Sequence, residues 1–317
     1  CSITGFGQTG PWRDKTAYDL VIQALSGALS VTGEEGRSPA KMGLPLADEM
    51  ASLFSGIAIL AGLERRERTG TGSYLDLSMF DVGLSMLSYM ANIYFATGES
   101  PKSQGSAHPT IYPYNAFETN DGYIVVAPFT NAFWKKYCIV LDRIDLAKDE
   151  RFKTFAGRLS NRTELAEIID PLMRSKSTAD WQLALDKGDV PNGPVESVQG
   201  VLEHPQTKAR GLITSFQHPV CGNVTTVGTP FKIKYSDGTN FNPTYTPPPV
   251  VGQHTTNILE NILGYSDARI DSLEELGVIR TSAIPVLEKP STDSEVKVKR
   301  SAGNSKEHSE LPLSGIK

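Results

Sequence analysis

The chain has 317 residues, 39% hydrophobic and 21% charged, with 31 basic side chains against 36 acidic ones. This is ordinary globular composition, enough for a sizeable core and about two domains. A net charge of −5 argues against nucleic acid or an anionic membrane as partner.

The longest mostly apolar run, Leu53 to Leu63, falls short of the ~20 residues a membrane-spanning helix needs, so no span is expected. Cys1, Cys138 and Cys221 are far apart, with no CxxC pair. They offer neither a disulfide framework nor a zinc site, and a reducing compartment is the simplest reading. The chain opens on Cys1 with no charged segment leading into an apolar one, so a piece of a longer protein is expected, any targeting segment lying upstream.

GFGQTGPW, from Gly5 to Trp12, is punctuated by Gly and Pro and reads as a loop. The spacing of Leu20, Val21, Ala24, Leu25 and Ala28 predicts a helix over 18–29. A second helix is expected over 48–66, where Met50, Leu53, Phe54, Ile57, Leu60 and Ala61 keep the same period and Ile59 widens the stripe. So broad an apolar face predicts a buried helix. Residues 74–80 alternate like a strand, and a further helix is expected over 82–96. Residues 115–119 and 123–127 read as strands joined by Asn120–Asp121–Gly122, a good hairpin turn. Helical patches and turns alternate over 130–210, strand-like texture returns near Gly211, and a helix is expected over 256–263. From about Arg280 the chain is polar and without period, as in a disordered tail over 280–317. No internal repeat is apparent.

Asp48 is the first candidate for chemistry. It stands between Pro45–Leu46–Ala47 and an apolar helix, where its carboxylate could simply cap the first backbone N–H groups. The same position also suits a nucleophile, because the unpaired donors of a helix N-terminus can stabilise an oxyanion formed at an attacked carbonyl. Glu49 points elsewhere on the helix and makes no obvious acid–base pair with it. Gly5, Gly7 and Gly10 match G-x-G-x-x-G, but Pro11 and Trp12 follow where a helix should run. A loop that lets backbone approach a ligand is the better reading than a dinucleotide fingerprint. The five histidines, His108, His204, His218, His254 and His308, show no metal-ligand spacing. His108 lies in the Gly105–Pro109 loop, where it either lines a pocket or stays on the surface. No G-x-S-x-G elbow occurs, which weakens an α/β-hydrolase reading.

In order, GFGQTGP, AYDLVIQALSGALSVTG, PLAD, RRERTGTGSYLDLSMFD, HPTIYPYNAFETNDGYIVV, RFKTFAGRLSNR, VPNGPVESV, HPQTKARG and PPPVVGQHTTNIL resemble the class III coenzyme A transferases. That superfamily includes formyl-CoA transferase, carnitine CoA-transferase and α-methylacyl-CoA racemase. The resemblance covers about residues 1–279, without the family's first hundred or so. Segments GSAH…PYNAFETNDGYIVV and PPPVVGQHTT are most similar to the succinate–hydroxymethylglutarate CoA-transferases.

The resemblance implies an α/β fold with a Rossmann-type large domain, incomplete at its N-terminus, plus a smaller α+β domain, in an interlocked homodimer. It implies a division into 1–98 (large-domain part), 99–210 (small domain), 211–279 (a segment returning to the large domain) and the 280–317 tail. By resemblance Asp48 is the catalytic aspartate, and Tyr18, Gln8, Met79, Gly105 and His108 bind substrate or coenzyme A. Only Gly105 remains of a run of glycines that closes over the site in formyl-CoA transferase. The basic residues holding the coenzyme A phosphates would lie mostly upstream.

The activity implied is transfer of coenzyme A from an acyl-CoA donor, succinyl-CoA among them, to a carboxylic acid through an aspartyl-CoA thioester. Coenzyme A is then a substrate, and neither a permanent cofactor nor a metal is implied. The partners are an acyl-CoA, a small carboxylic acid and a second copy, in a mitochondrial or cytoplasmic setting. The alternatives are a racemase-like enzyme and a non-catalytic truncated member. A racemase carries histidine where Tyr18 stands, and a free phenol, titrating near pH 10, shuttles protons less readily.

Overall fold

The structure is a computed structural model that describes residues 1–281, so the expected tail lies outside the described residues from 282 onward. The chain divides into two compact units, Cys1–Glu196 and a second beginning at Ser197.

The first unit opens with strand β1 (Ser2–Thr4), which pairs in parallel with β2 (Asp76–Ser78) in the register Ser2↔Asp76, Ile3↔Leu77, Thr4↔Ser78. A parallel pair requires a crossover. Helices α1 (Asp19–Leu25) and α2 (Leu46–Thr69) supply it. α1 is shorter than the helix expected over 18–29, because Gly27 turns left-handed at φ 91° and a 3-10 turn, Ala28–Val31, replaces its end. α2 stops at Gly70, also left-handed (φ 69°), whose N–H bonds back to the Arg66 carbonyl.

α2 is not the buried helix its apolar stripe predicts. Only Ala47, Ala51 and Ser55 are buried, while Ile57 and Leu60 are 64% and 67% exposed. The small residues, one helical turn apart, form the face that packs on α1 and on α3 (Met79–Ser85); the leucine and isoleucine side has no cover among the described residues. The run 53–63 also understates its reach, since α2 is long and apolar enough by length and composition to cross a membrane.

The helix expected over 82–96 is two helices. Ser78 caps α3 by accepting the Asp81 N–H, and after Ser88, at φ 47°, α4 runs over Tyr89–Thr97. No Gly or Pro marks the break at Met86–Ser88.

The remainder of this unit holds most of the buried side chains. β3 (Asn115–Glu118), β4 (Tyr123–Val126) and β5 (Asn192–Pro194) form an antiparallel sheet in that order, the first two as the expected hairpin. Its turn is fixed from outside: Asp121 accepts from both the backbone N–H and the hydroxyl of Thr178. Against the sheet lie α7 (Arg162–Met173) and α8 (Thr178–Lys187), with α5 (Asn131–Val140) packed on α8 and α6 (Phe155–Ser160) on α7. Phe117, Ile124, Trp134, Tyr137, Leu165, Ile169, Met173 and Trp181 fill the space between.

The second unit contains short helices α9 (Val198–Glu203) and α10 (Pro205–Arg210) and the hairpin β6 (Ile213–His218)–β7 (Gly222–Val227). The helix expected over 256–263 begins as α11 (Thr255–Asn257) and widens to a π turn, Ile258–Ile262. A further helix, α12 (Asp267–Glu275), had no expectation.

Candidate functional site

Asp48 occupies the third position of α2, after Pro45 at the N-cap. The capping role considered for it is not what the structure contains. Asp19, in the first turn of α1, supplies the acceptor instead: its Oδ1 takes the Ala47 N–H at 2.8 Å, while its Oδ2 takes the Gln23 amide at 2.6 Å. Gln23, buried, passes the connection on, accepting the Met42 N–H at 3.2 Å. An acidic residue at a helix start is a readable signal. A carboxylate that caps a different helix is not, and neither Asp19 nor Gln23 was anticipated.

Two consequences follow for Asp48. Its carboxylate has no hydrogen-bond partner among the described residues, and it is exposed. In the first turn, Leu46 N–H donates to the Leu44 carbonyl, Ala47 N–H to Asp19 and Glu49 N–H to the Pro45 carbonyl. The Asp48 N–H has no acceptor among the described residues, at the end of the helix where the backbone dipole favours negative charge.

Tyr18 is the extended residue before α1, and its side chain is 83% exposed. Because Asp19 is tied to Ala47, Tyr18 and Asp48 each stand one residue from that bond. Met79, half-buried at the start of α3, packs on the small cluster of Phe6, Ile22 and Ala47. Three of the expected residues, Tyr18, Asp48 and Met79, are thus gathered around Ile22 and Ala47.

Gln8 is fastened to the starts of β1 and β2. Its N–H donates to Asp76 Oδ2 at 3.0 Å and its side-chain amide to Ser2 Oγ at 2.8 Å. The glycine-punctuated loop is built for close approach: a Cβ on Gly5 would lie 2.7 Å from that of Ala17. The edge-to-face rings of Trp12 with Phe6 and Phe80 hold it, with the Lys15 ammonium 4.9 Å from the Trp12 ring centroid.

Gly105 and His108 lie elsewhere, in a cavity of about 260 Å³ that they share with Val31, Tyr89, Lys102 and Tyr114 and that none of the other candidates lines. Gly105 adopts φ 62°, donates its N–H to the Gly33 carbonyl and has the Glu34 carboxylate against its open Cα face. The His108 ring stacks with both Tyr89 and Tyr114, with centroids at 5.6 and 5.3 Å and both planes within 17°. Its Nδ1 accepts the Thr110 N–H at 3.2 Å. Burial lowers its pKa from 6.5, which favours the neutral ring. Among the described residues no three His, Cys, Asp or Glu side chains are grouped as a metal site would require.

This chain is similar to known coenzyme A transferases. A succinyl-CoA:glutarate CoA-transferase of Homo sapiens is 36% identical over 282 residues, covering 88% of this chain and 63% of the human protein. A succinate–glutarate CoA-transferase of Agrobacterium fabrum is 36% identical over 212 residues, covering 67% of this chain and 53% of its own length. The chain therefore spans less than two thirds of these relatives. Among solved structures, a CAIB/BAIF family protein from Brucella suis superimposes with a TM-score of 0.68 at 37% identity, covering 83% of this chain and 67% of that one. The model of CoA-transferase family III matches residues 1–255, and the chain belongs to that family.

Proposed function

We propose that this chain carries the reacting carboxylate of an enzyme that moves coenzyme A from an acyl-CoA donor to a small carboxylic acid. The observation that carries the reading is the Asp19–Ala47 hydrogen bond. It relieves Asp48 of capping and leaves a free carboxylate beside an unpaired backbone N–H.

The chemistry is covalent and needs only that carboxylate and the coenzyme. Asp48 attacks the donor thioester, giving a mixed anhydride and the coenzyme A thiolate. The thiolate attacks the aspartyl carbonyl, forming the aspartyl-CoA thioester and releasing the first acid. The acceptor carboxylate attacks this thioester, expelling the thiolate and leaving an anhydride between Asp48 and the acceptor. The thiolate then attacks the acceptor carbonyl, and the new acyl-CoA leaves with Asp48 restored. At each tetrahedral stage the first-turn N–H groups of α2 offer hydrogen bonds to the oxyanion.

Tyr18, Gln8 and Met79 border the thioester in this reading, and coenzyme A is a substrate, not a resident group. The names of the relatives point to succinyl-CoA as donor and a dicarboxylate as acceptor. A Rossmann-type large domain that includes residues 1–98, a small domain over 99–210 and an interlocked homodimer belong to the same proposal.

The test is Asp48→Ala. Loss of coenzyme A exchange between succinyl-CoA and glutarate, with the thermal melt within a few degrees of the parent, supports the role. Exchange at the parent rate removes it.

A further inference from the structure

We infer that the cavity around His108 is a recognition site for a carboxylate group, the one at the non-reacting end of a small dicarboxylic acid. The inference rests on the proposed transfer reaction for its place in the catalytic cycle, and on the cavity alone for its chemistry.

Three of the side chains that line it, His108, Gln104 and Lys102, can each offer a donor. His108 Nδ1 is occupied by the Thr110 N–H, so in the neutral ring the proton sits on Nε2, which then donates. Gln104 has its amide oxygen engaged by Arg162 Nη1 at 3.1 Å, which leaves its NH₂ as the uncommitted end. The Lys102 ammonium adds donors and no acceptor. The carboxylate of Glu34 lies against Gly105 and is not part of the lining. A cavity with an imidazole N–H, an amide NH₂ and an ammonium suits an acceptor-only group, and a carboxylate is such a group at neutral pH.

Shape points the same way. About 260 Å³ is below the usual range for drug-sized ligands and fits a small molecule. The rings of Tyr89 and Tyr114 both stack on His108. The imidazole is therefore held in one orientation, with its edge presented, as a specificity-determining donor must be.

The cavity shares one turn with the cleft beside the head of α2. A small cleft lined by Leu46 and Ala47, next to Asp48, includes Ala28 from the 3-10 turn after α1, and the His108 cavity includes Val31 from the same turn. At about 2 Å per residue these two positions are roughly 6 Å apart along the turn.

Glutarate and its monocarboxylate counterpart, pentanoate, are the probes, titrated calorimetrically into the protein in the absence of any thioester. Glutarate should bind at least tenfold more tightly than pentanoate. Lys102→Met, at an exposed position, and His108→Leu should each weaken glutarate binding at least tenfold with little change in melting temperature. Equal binding of the two acids, or glutarate affinity within twofold of the parent in both variants, would overturn the assignment. Because no acyl transfer is involved, a failed titration and a failed transfer assay report on separate claims.

Discussion

The Asp19 carboxylate accepts a 2.8 Å hydrogen bond from the Ala47 backbone N–H, joining the first turns of two helices that are 28 residues apart at these positions. The bond fixes where Tyr18 and Asp48 stand, since each is the chain neighbour of one partner. It does for α2 what a capping side chain of its own would do, and so leaves Asp48 without a structural task.

Asp19→Ala removes that acceptor and the support of Gln23 together. A lost cap costs about 1 kcal/mol, and the start of α2 loses its tie to α1. Chemical denaturation should show a loss of that order, and transfer activity should fall by more than the stability change explains. Asp19→Asn keeps the acceptor for Ala47 but sets its NH₂ against that of Gln23, and should recover only part of both.

Arg158 is fully buried with its guanidinium shared among the Tyr112 carbonyl at 3.2 Å, the Phe152 carbonyl at 3.0 Å and Asn131 Oδ1 at 3.1 Å, and its face lies near Trp134 and Phe155. Arg158→Met fills similar volume but strands those acceptors. The Tyr112 and Phe152 carbonyls are buried, while Asn131 is exposed and can turn to water; unsatisfied buried groups cost about 1–3 kcal/mol each, so urea unfolding should show a loss of at least about 2 kcal/mol. Arg158→Lys, which cannot span the three acceptors, should recover less than half.

Asp170 on α7 has its carboxyl pushed above the ordinary value of 3.8, chiefly by burial, with Arg174 drawing it down and Glu118 adding to the rise. A group with a raised folded pKa contributes most below its unfolded pKa, and that contribution is lost as pH rises through the folded value. Asp170→Asn should therefore leave stability nearly unchanged near pH 3 and raise it near pH 7. Denaturant midpoints at the two pH values measure this directly.

Local features were legible because their causes are local. The hairpin around Asn120–Gly122 comes from one turn between two alternating runs, and its strands form within a residue of expectation. Asp48 at the head of α2 was readable from the residues on either side of it. The cap from Asp19 was not, because it is a relation between distant positions. The exposure of Ile57 and Leu60 was hidden for a similar reason: an apolar stripe tells which side of a helix avoids water, not whether anything in this chain covers it. The break between α3 and α4 has no glycine or proline to announce it, and Ser88 takes its left-handed φ in a stretch whose apolar period runs straight through.

The account depends on Asp48 becoming a thioester once in every cycle. Incubating the protein with succinyl-CoA, quenching with hydroxylamine and mapping peptides by mass spectrometry reads that state directly. A hydroxamate confined to the peptide containing Asp48, absent from Asp48→Ala, is the predicted result. Steady transfer of coenzyme A with Asp48 unmodified under the same quench would contradict it.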